Sequence, residues 1–195
     1  QKSFLCNSGT EAVEGAMRLA RKYTKKHETF ALYRGHHGRS MGAASITGNF
    51  IEKKGMGPYL AGVHFLPAPY CYRCSLRQIY PECDLACARL MEEAITYATS
   101  NDVACIILEP IMMDVVIVPP DGYLQEVERI CHDHDILFVA DEVQSGLGRS
   151  GKMFAVEHWK TEPSIMILGK ALGGGLPLGA YIATDEVAVA FEGMD

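Results

Sequence analysis

Two near-continuous apolar runs, Val103 to Glu109 and Ile136 to Val143, flank a stretch of helical periodicity from Asp121 to about Asp135. A run without polar alternation belongs to a strand covered on both faces. Two such strands joined through a helix lie parallel, because the crossover returns the chain to the same end of the sheet. The same rhythm extends in both directions. Val13, Ala16, Met17 and Ala20 mark one face of a helix after Ser8-Gly9, and Thr29 to Arg34 reads as a short strand. Residues 83–101 read as a helix, Lys152 to Trp159 as a short helix, and Ser164 to Leu168 and Leu178 to Ala183 as strands. The expected fold class is therefore α/β, a mostly parallel sheet with helices on both faces. Residues 48–81, rich in Gly, Pro, Tyr and Cys, read as a long loop, either an insertion or an interface element.

Ligands of such sheets bind beyond the carboxyl ends of the strands. Glu109, Asp141, Gln144 and Lys170 fall there. With 195 residues, 48 % of them hydrophobic, the chain suffices for one sizeable domain. A formal net charge of -6, with basic and acidic residues interspersed, offers no field for a polyanion, so no nucleic-acid partner is expected. No membrane partner is expected either, because the most apolar stretch, Val103 to Pro120, is broken by Glu109, Asp114 and prolines. Seven cysteines, some in runs that read as buried, such as Cys105 and Cys131, fit reduced thiols in a cytoplasmic setting.

Four features carry potential chemistry. Ser8 and Glu11 have capping-box spacing around Gly9, which makes either a phosphate-binding helix start or an ordinary cap. Asp141 ends an apolar strand, where a carboxylate needs a cationic partner: a protonated pyridine nitrogen, or a neighbouring Arg or Lys. Gly146 to Lys152 matches G-x-G-x-x-G and most of a P-loop, yet Met153 replaces the magnesium-binding hydroxyl and Gly169-Lys170 stands where a dinucleotide site has an acid. A glycine-rich turn is the competing reading. Lys170 ends an apolar strand before three glycines, a place for a desolvated nucleophilic amine or for a solvated loop lysine.

The motifs SGTEA (residues 8–12), DEVQSGLGRSGKMF (141–154) and GKALGGGLPLG (169–179), in this order and spacing, closely resemble the class III aminotransferases of fold type I. The resemblance covers essentially the whole chain. It implies the large cofactor-binding domain of a pyridoxal 5'-phosphate enzyme that moves an amino group from an ω- or α-amino acid to a 2-oxo acid. The similarity is to 4-aminobutyrate and acetylornithine aminotransferases, with amino-acid racemases and dialkylglycine decarboxylases sharing the motif set. By position, Lys170 resembles the lysine that forms the Schiff base and shuttles the proton, and Asp141 the carboxylate that keeps the pyridine nitrogen protonated. Ser8, Gly9 and Thr10 match the phosphate turn, Val143 the residue packed on the ring, and Gln144 a contact to the ring hydroxyl. Glu109 matches a substrate-side glutamate.

Two departures stand out. His36, followed by His37, occupies the position of an aromatic residue that stacks on the cofactor, which makes both histidines candidate cofactor contacts. Met112 to Val116 replaces a Gln and glycine-rich run near the substrate. Family members also carry an N-terminal segment, a C-terminal small domain and a homodimer interface. Residues 1–195 thus read as a partial large domain that is not a competent active site alone. Cys71, Cys74, Cys83 and Cys87 have spacings compatible with tetrahedral zinc, but the aminotransferase reaction needs no metal and no histidine supports the cluster. Reduced core or interface thiols are the favoured reading, and no metal is assigned.

Overall fold

Every residue of Val103–Leu108 is buried, and so is every residue of Leu137–Asp141, as unbroken apolar runs require. The computed structural model describes residues 1–192; residues 193–195, the end of the span read as one domain, lie outside the described residues. The strands are β1 (Lys2–Cys6), β2 (Glu28–Leu32), β3 (Val63–Leu66), β4 (Val103–Leu108), β5 (Leu137–Asp141), β6 (Ile165–Leu168) and β7 (Gly179–Ala183). The helices are α1 (Gly9–Thr24), α2 (Met41–Ser45), α3 (Phe50–Lys53), α4 (Ala86–Tyr97), α5 (Tyr123–Asp133) and α6 (Asp185–Ala188). One seven-stranded sheet runs in the order β1-β7-β6-β5-β4-β2-β3. From β6 to β3 all neighbours are parallel, while β7 is antiparallel to both β6 and β1.

Strand pleating deals alternate residues to two apolar layers. Phe30, Leu32, Ile106, Leu108 and Phe138 pack with Met91 and Ile95 of α4 and Leu124, Val127 and Ile130 of α5. On the other face Ala31, Ile107, Val139, Ile165 and Ile167 meet Val13, Ala16, Met17 and Ala20 of α1 and Val187 of α6. Each fully buried Ile or Leu contributes roughly 1.5–3 kcal/mol, so the sheet core outweighs the weak propensities of its short connecting elements.

Helix α1 begins where Ser8, in extended conformation, caps the Glu11 N–H with its hydroxyl at 3.2 Å. The Glu11 carboxylate reaches back to the Asn7 N–H at 2.7 Å, one residue earlier than a simple capping box predicts. The helix ends at Lys25, whose left-handed backbone (φ 60°) lets its N–H close on the Arg21 carbonyl at 3.0 Å. Its buried face holds small residues, and at Gly15 the helix rides on the Tyr181 ring of β7: a Cβ there would stand 2.3 Å from Tyr181 Cε1.

Several expected elements are trimmed or added. Residues 48–81 are not a plain loop but contain α3 and the edge strand β3. The helix read over 83–101 is α4, Ala86–Tyr97, because Asp84 and Leu85 take left-handed backbone (φ 49° and 55°) and cannot continue it. The short helix read over 152–159 is a single 3-10 turn, Ala155–His158. Strand β1, unexpected from its mixed composition, pairs with β7 from Lys2↔Ala183 to Cys6↔Gly179. Among the described residues no helix is long and apolar enough to cross a membrane.

Gly15→Ala is expected to destabilise the domain by about 1–3 kcal/mol through overpacking against Tyr181. Urea unfolding in a double-mutant cycle checks it: the cost should shrink in a Tyr181→Ala background, and an equal cost in both would place the strain elsewhere.

Candidate active site

The carboxyl ends of the parallel strands open on a cleft of about 240 Å³. Ser8, Gly9, Thr10, His36, His37, Asp141, Val143, Gln144 and Lys170 all line it. Glu109 is buried beside them, its carboxylate accepting from the His36 N–H at 2.9 Å and from Gln144 Nε2 at 3.4 Å. A larger hollow of about 520 Å³ lies at the opposite ends of the strands, among Tyr23, Lys26, Asp135 and Glu186, and none of the residues expected to form the site lines it.

Asp141 ends β5 with 2 % of its surface exposed, and its partner is His37 rather than an Arg or Lys. His37 Nδ1 donates to Asp141 Oδ2 at 2.7 Å, and the Val143 N–H donates to Asp141 Oδ1 at 3.1 Å. The His37 N–H is held by Thr47 Oγ1 at 3.1 Å, which fixes the loop after β2 over the end of β5. Burial alone would push the His37 imidazole towards its neutral form. The bond and charge of Asp141, with the charge of Glu109, outweigh it and raise the His37 pKa above the ordinary value. His37 Nε2 and His36 Nδ1 are buried with no hydrogen-bond partner among the described residues. His36 Nδ1 lies 3.8 Å from Asp114, whose carboxylate accepts from Gln144 Nε2 at 2.9 Å.

Glu109 is pushed up to about 7, chiefly by burial, with the charges of Asp141 and Asp114 adding and those of His37 and the His36 N–H opposing. Glu109 and His37, neighbours in this buried cluster, therefore both hold a proton more tightly than their ordinary counterparts.

Lys170 follows β6 through Gly169 and opens a 3-10 turn, Lys170–Gly173, with left-handed backbone (φ 45°). Such a conformation in a long-chained residue costs about 1 kcal/mol or more and clusters at functional sites. Its side chain is exposed at the cleft, so the desolvation suggested by its strand-end position is not supplied by this chain's own atoms. Gly169 makes the approach possible: a Cβ there would sit 3.1 Å from the Gly9 Cα, and a Cβ on Gly9 would sit 2.9 Å from Val143 Cγ1. The start of α1 is thereby laid against the ends of β5 and β6, with Thr10 Oγ1 accepting from the Arg39 N–H at 3.3 Å.

The glycine-rich segment after β5 forms turns and no strand-loop-helix, so neither nucleotide motif has its context. Lys152 Nζ is bonded to the Glu157 carbonyl at 2.9 Å. The segment is pinned by Glu142, a residue not singled out from the sequence, whose buried carboxylate accepts from the Val156 N–H at 2.9 Å and from Ser145 Oγ at 2.5 Å. The only available signal was a second acid at the end of an apolar run, indistinguishable there from a solvated one.

The sheet order and a cleft where a lysine, a paired carboxylate and a helix start converge define a class of α/β cofactor-binding domain. The family model for class-III aminotransferases matches residues 1–195, and the chain belongs to that family. It is 40% identical over 184 residues to the leucine/methionine racemase of Thermococcus litoralis, covering 92% of this chain and 41% of that protein. It is also 40% identical over 192 residues to the acetylornithine aminotransferase of Methanopyrus kandleri, covering 98% and 44%. Among solved structures, an amine transaminase from an uncultivated Pseudomonas species in its PLP-bound form superposes with a TM-score of 0.93 at 35% identity, over 98% of this chain and 45% of that one. An (S)-enantioselective omega-transaminase from Thermomicrobium roseum gives 0.91 at 32%, over 97% and 44%. The chain thus spans less than half the length of these relatives, and its fold is that of the corresponding part of the transaminases.

The raised Glu109 pKa carries a pH signature. A carboxyl that holds its proton more tightly when folded costs stability once pH exceeds its unfolded value, and the cost is complete above about 7. Glu109→Gln is expected to flatten the fall in stability between pH 5 and 8 and to gain up to about 3 kcal/mol relative to the parent at the upper end. Denaturant midpoints across that range measure it; parallel curves would mean that Glu109 ionises normally.

Proposed function

We propose that this chain is the cofactor-binding part of a pyridoxal 5'-phosphate-dependent aminotransferase that moves an amino group from an ω- or α-amino acid to a 2-oxo acid. The observation that carries the reading is the convergence of Lys170, Asp141 and the Ser8-Gly9-Thr10 helix start on one cleft. The residues fit the cofactor on physical grounds. Gly9 lets the start of α1 lie close against Val143 at the cleft, and the N–H groups of a helix start favour a phosphate. Asp141, buried and fixed by the 2.7 Å bond from His37 Nδ1, suits a protonated pyridine nitrogen. The unpartnered Nδ1 of His36 gives the cleft a polar edge. When bound, pyridoxal phosphate supplies an electron sink for charge developing at the substrate Cα.

In this reading Ser8, Gly9 and Thr10 hold the phosphate, Val143 and the His36 ring bound the two faces of the pyridine, and Gln144 meets its hydroxyl. His37 positions Asp141. Lys170 Nζ, on a backbone set by Gly169, moves the proton at the substrate Cα. Glu109 and Asp114 make the substrate side acidic, which favours a cationic group on the donor or an arginine brought by another part of the protein. The exposed Phe50, Ile51 and Met56 support a homodimer in which a second copy covers that region. The N-terminal segment and C-terminal small domain of the family belong to the same proposal. Free thiols fit a reducing, cytoplasmic setting.

Racemisation is the second reading, favoured by the 40% identity to a leucine/methionine racemase. The two are separated by supplying single enantiomers of several amino acids with and without a 2-oxo acid: new amino acid from the acceptor marks transamination, and inversion without acceptor marks racemisation.

Borohydride reduction of the cofactor-loaded protein followed by peptide mapping is expected to place the pyridoxyl group on Lys170. Lys170→Ala should remove the label and lower turnover by about 10²–10⁴-fold or more. A label on Lys152, or none in the parent, overturns the assignment.

A further inference from the structure

The function proposed above leaves one side-chain cluster unused. Between β3 and α4 the chain forms a 3-10 turn, Cys71–Arg73, followed by irregular turns up to Ala86. Cys71 and Cys74 come from the first turn, Cys83 from the last, and Cys87 from the first turn of α4. All four line a single small cavity of about 20 Å³, closed on its other sides by groups that include Leu76, Leu85 and Pro120. Spacing alone favours ordinary reduced thiols. The fold adds that two pairs separated in sequence line the same cavity.

We propose that Cys71, Cys74, Cys83 and Cys87 bind one thiophilic divalent ion, zinc above all, as a four-thiolate structural site that staples residues 71–87 onto the domain. Tetrahedral zinc takes such a ligand set from paired cysteines of this spacing. A cavity of this size takes a single ion, whereas an iron–sulfur cluster would bring two irons and two sulfides as well.

The surrounding chain gives a reason for a staple. Arg77, Asp84 and Leu85 hold left-handed backbone (φ 56°, 49° and 55°), and bulky residues stay there only when their surroundings over-determine them. Leu85 packs on the core, but the middle of the segment has little such support: Tyr72 is 81% exposed and Ile79 is 77% exposed. No disulfide does so, since all four are free thiols. Among the described residues no three His, Cys, Asp or Glu side chains are closed around a coordination point, so the ion is expected to draw the sulfurs inward from the cavity walls.

The test uses the natural full-length protein, purified under reducing conditions with zinc in the growth medium. Elemental analysis should find about one zinc per chain, and cobalt exchanged for it should give thiolate-to-cobalt charge-transfer absorption. Alkylation of the folded protein is the decisive reading on the unmutated chain. Cys71 is exposed, so a metal-free thiol would react at once, whereas bound metal should slow its reaction, with that of Cys74, Cys83 and Cys87, by more than about tenfold until a chelator is added. Cys71→Ser with Cys74→Ser should release the metal and lower the melting temperature, while Cys6→Ser should leave both unchanged. Zinc well below stoichiometry with rapid Cys71 alkylation, a disulfide among the four, or iron with acid-labile sulfide would each overturn the assignment.

Discussion

A carboxylate at the end of a fully buried strand must have a partner, and much of the upper face of this domain is organised by the one Asp141 finds. His37 comes from the loop after β2, two strands away across β4. To reach Asp141 that loop is tied down by the His37 N–H on Thr47 and by the His36 N–H on Glu109. Three ionisable groups from three different elements thereby share one buried network. Removing one member of a buried pair typically costs about 3–5 kcal/mol, because the other is left charged and unpaired. The lining of the cleft is therefore part of the stability of the sheet.

The central strands were legible because their residues are buried on both faces, and nothing but a parallel sheet accommodates two such runs joined through a helix. The edges were less so. β1 carries Lys2 and Ser3 beside Phe4 and Leu5, and even its apolar residues stay exposed, so it lacks the alternation that marks a half-buried strand. β3 is four residues long and surrounded by Gly and Pro. The reversed direction of β7 is invisible in composition, because an antiparallel strand buried in a sheet looks like a parallel one.

The site was legible as positions and less so as interactions. A strand-end carboxylate announces its need for a partner without naming it. The residues alone left that partner open between a protonated pyridine nitrogen and a neighbouring Arg or Lys; within the chain the histidine beside the candidate stacking residue takes the place of the Arg or Lys. The exposure of Lys170 was equally hidden, since β6 is buried up to Leu168 and the chain turns outward within two residues. For Gly146 to Lys152 the glycine pattern was real and its motif reading was not. Glycines permit a tight turn as readily as a phosphate loop, and Glu142 decides in favour of the turn by bonding to Val156.

The pairing of β1 with β7 has a consequence for the order in which the domain assembles. It joins residues 2–6 to residues 179–183, the longest separation of any strand pair in the sheet. The Ser8 turn sits directly after β1, with its carbonyl 2.2 Å from where a Cβ on Gly179 would be. Contacts of such high sequence separation are slow to form, because a long loop must be closed before they repay its entropy. On the ribosome, β2 to β5 and their crossovers emerge and can pack before β7 exists, while β1 waits unpaired. The start of α1 is thus made well before β7 and is late to find its place, and its completion reports that the whole sheet has closed.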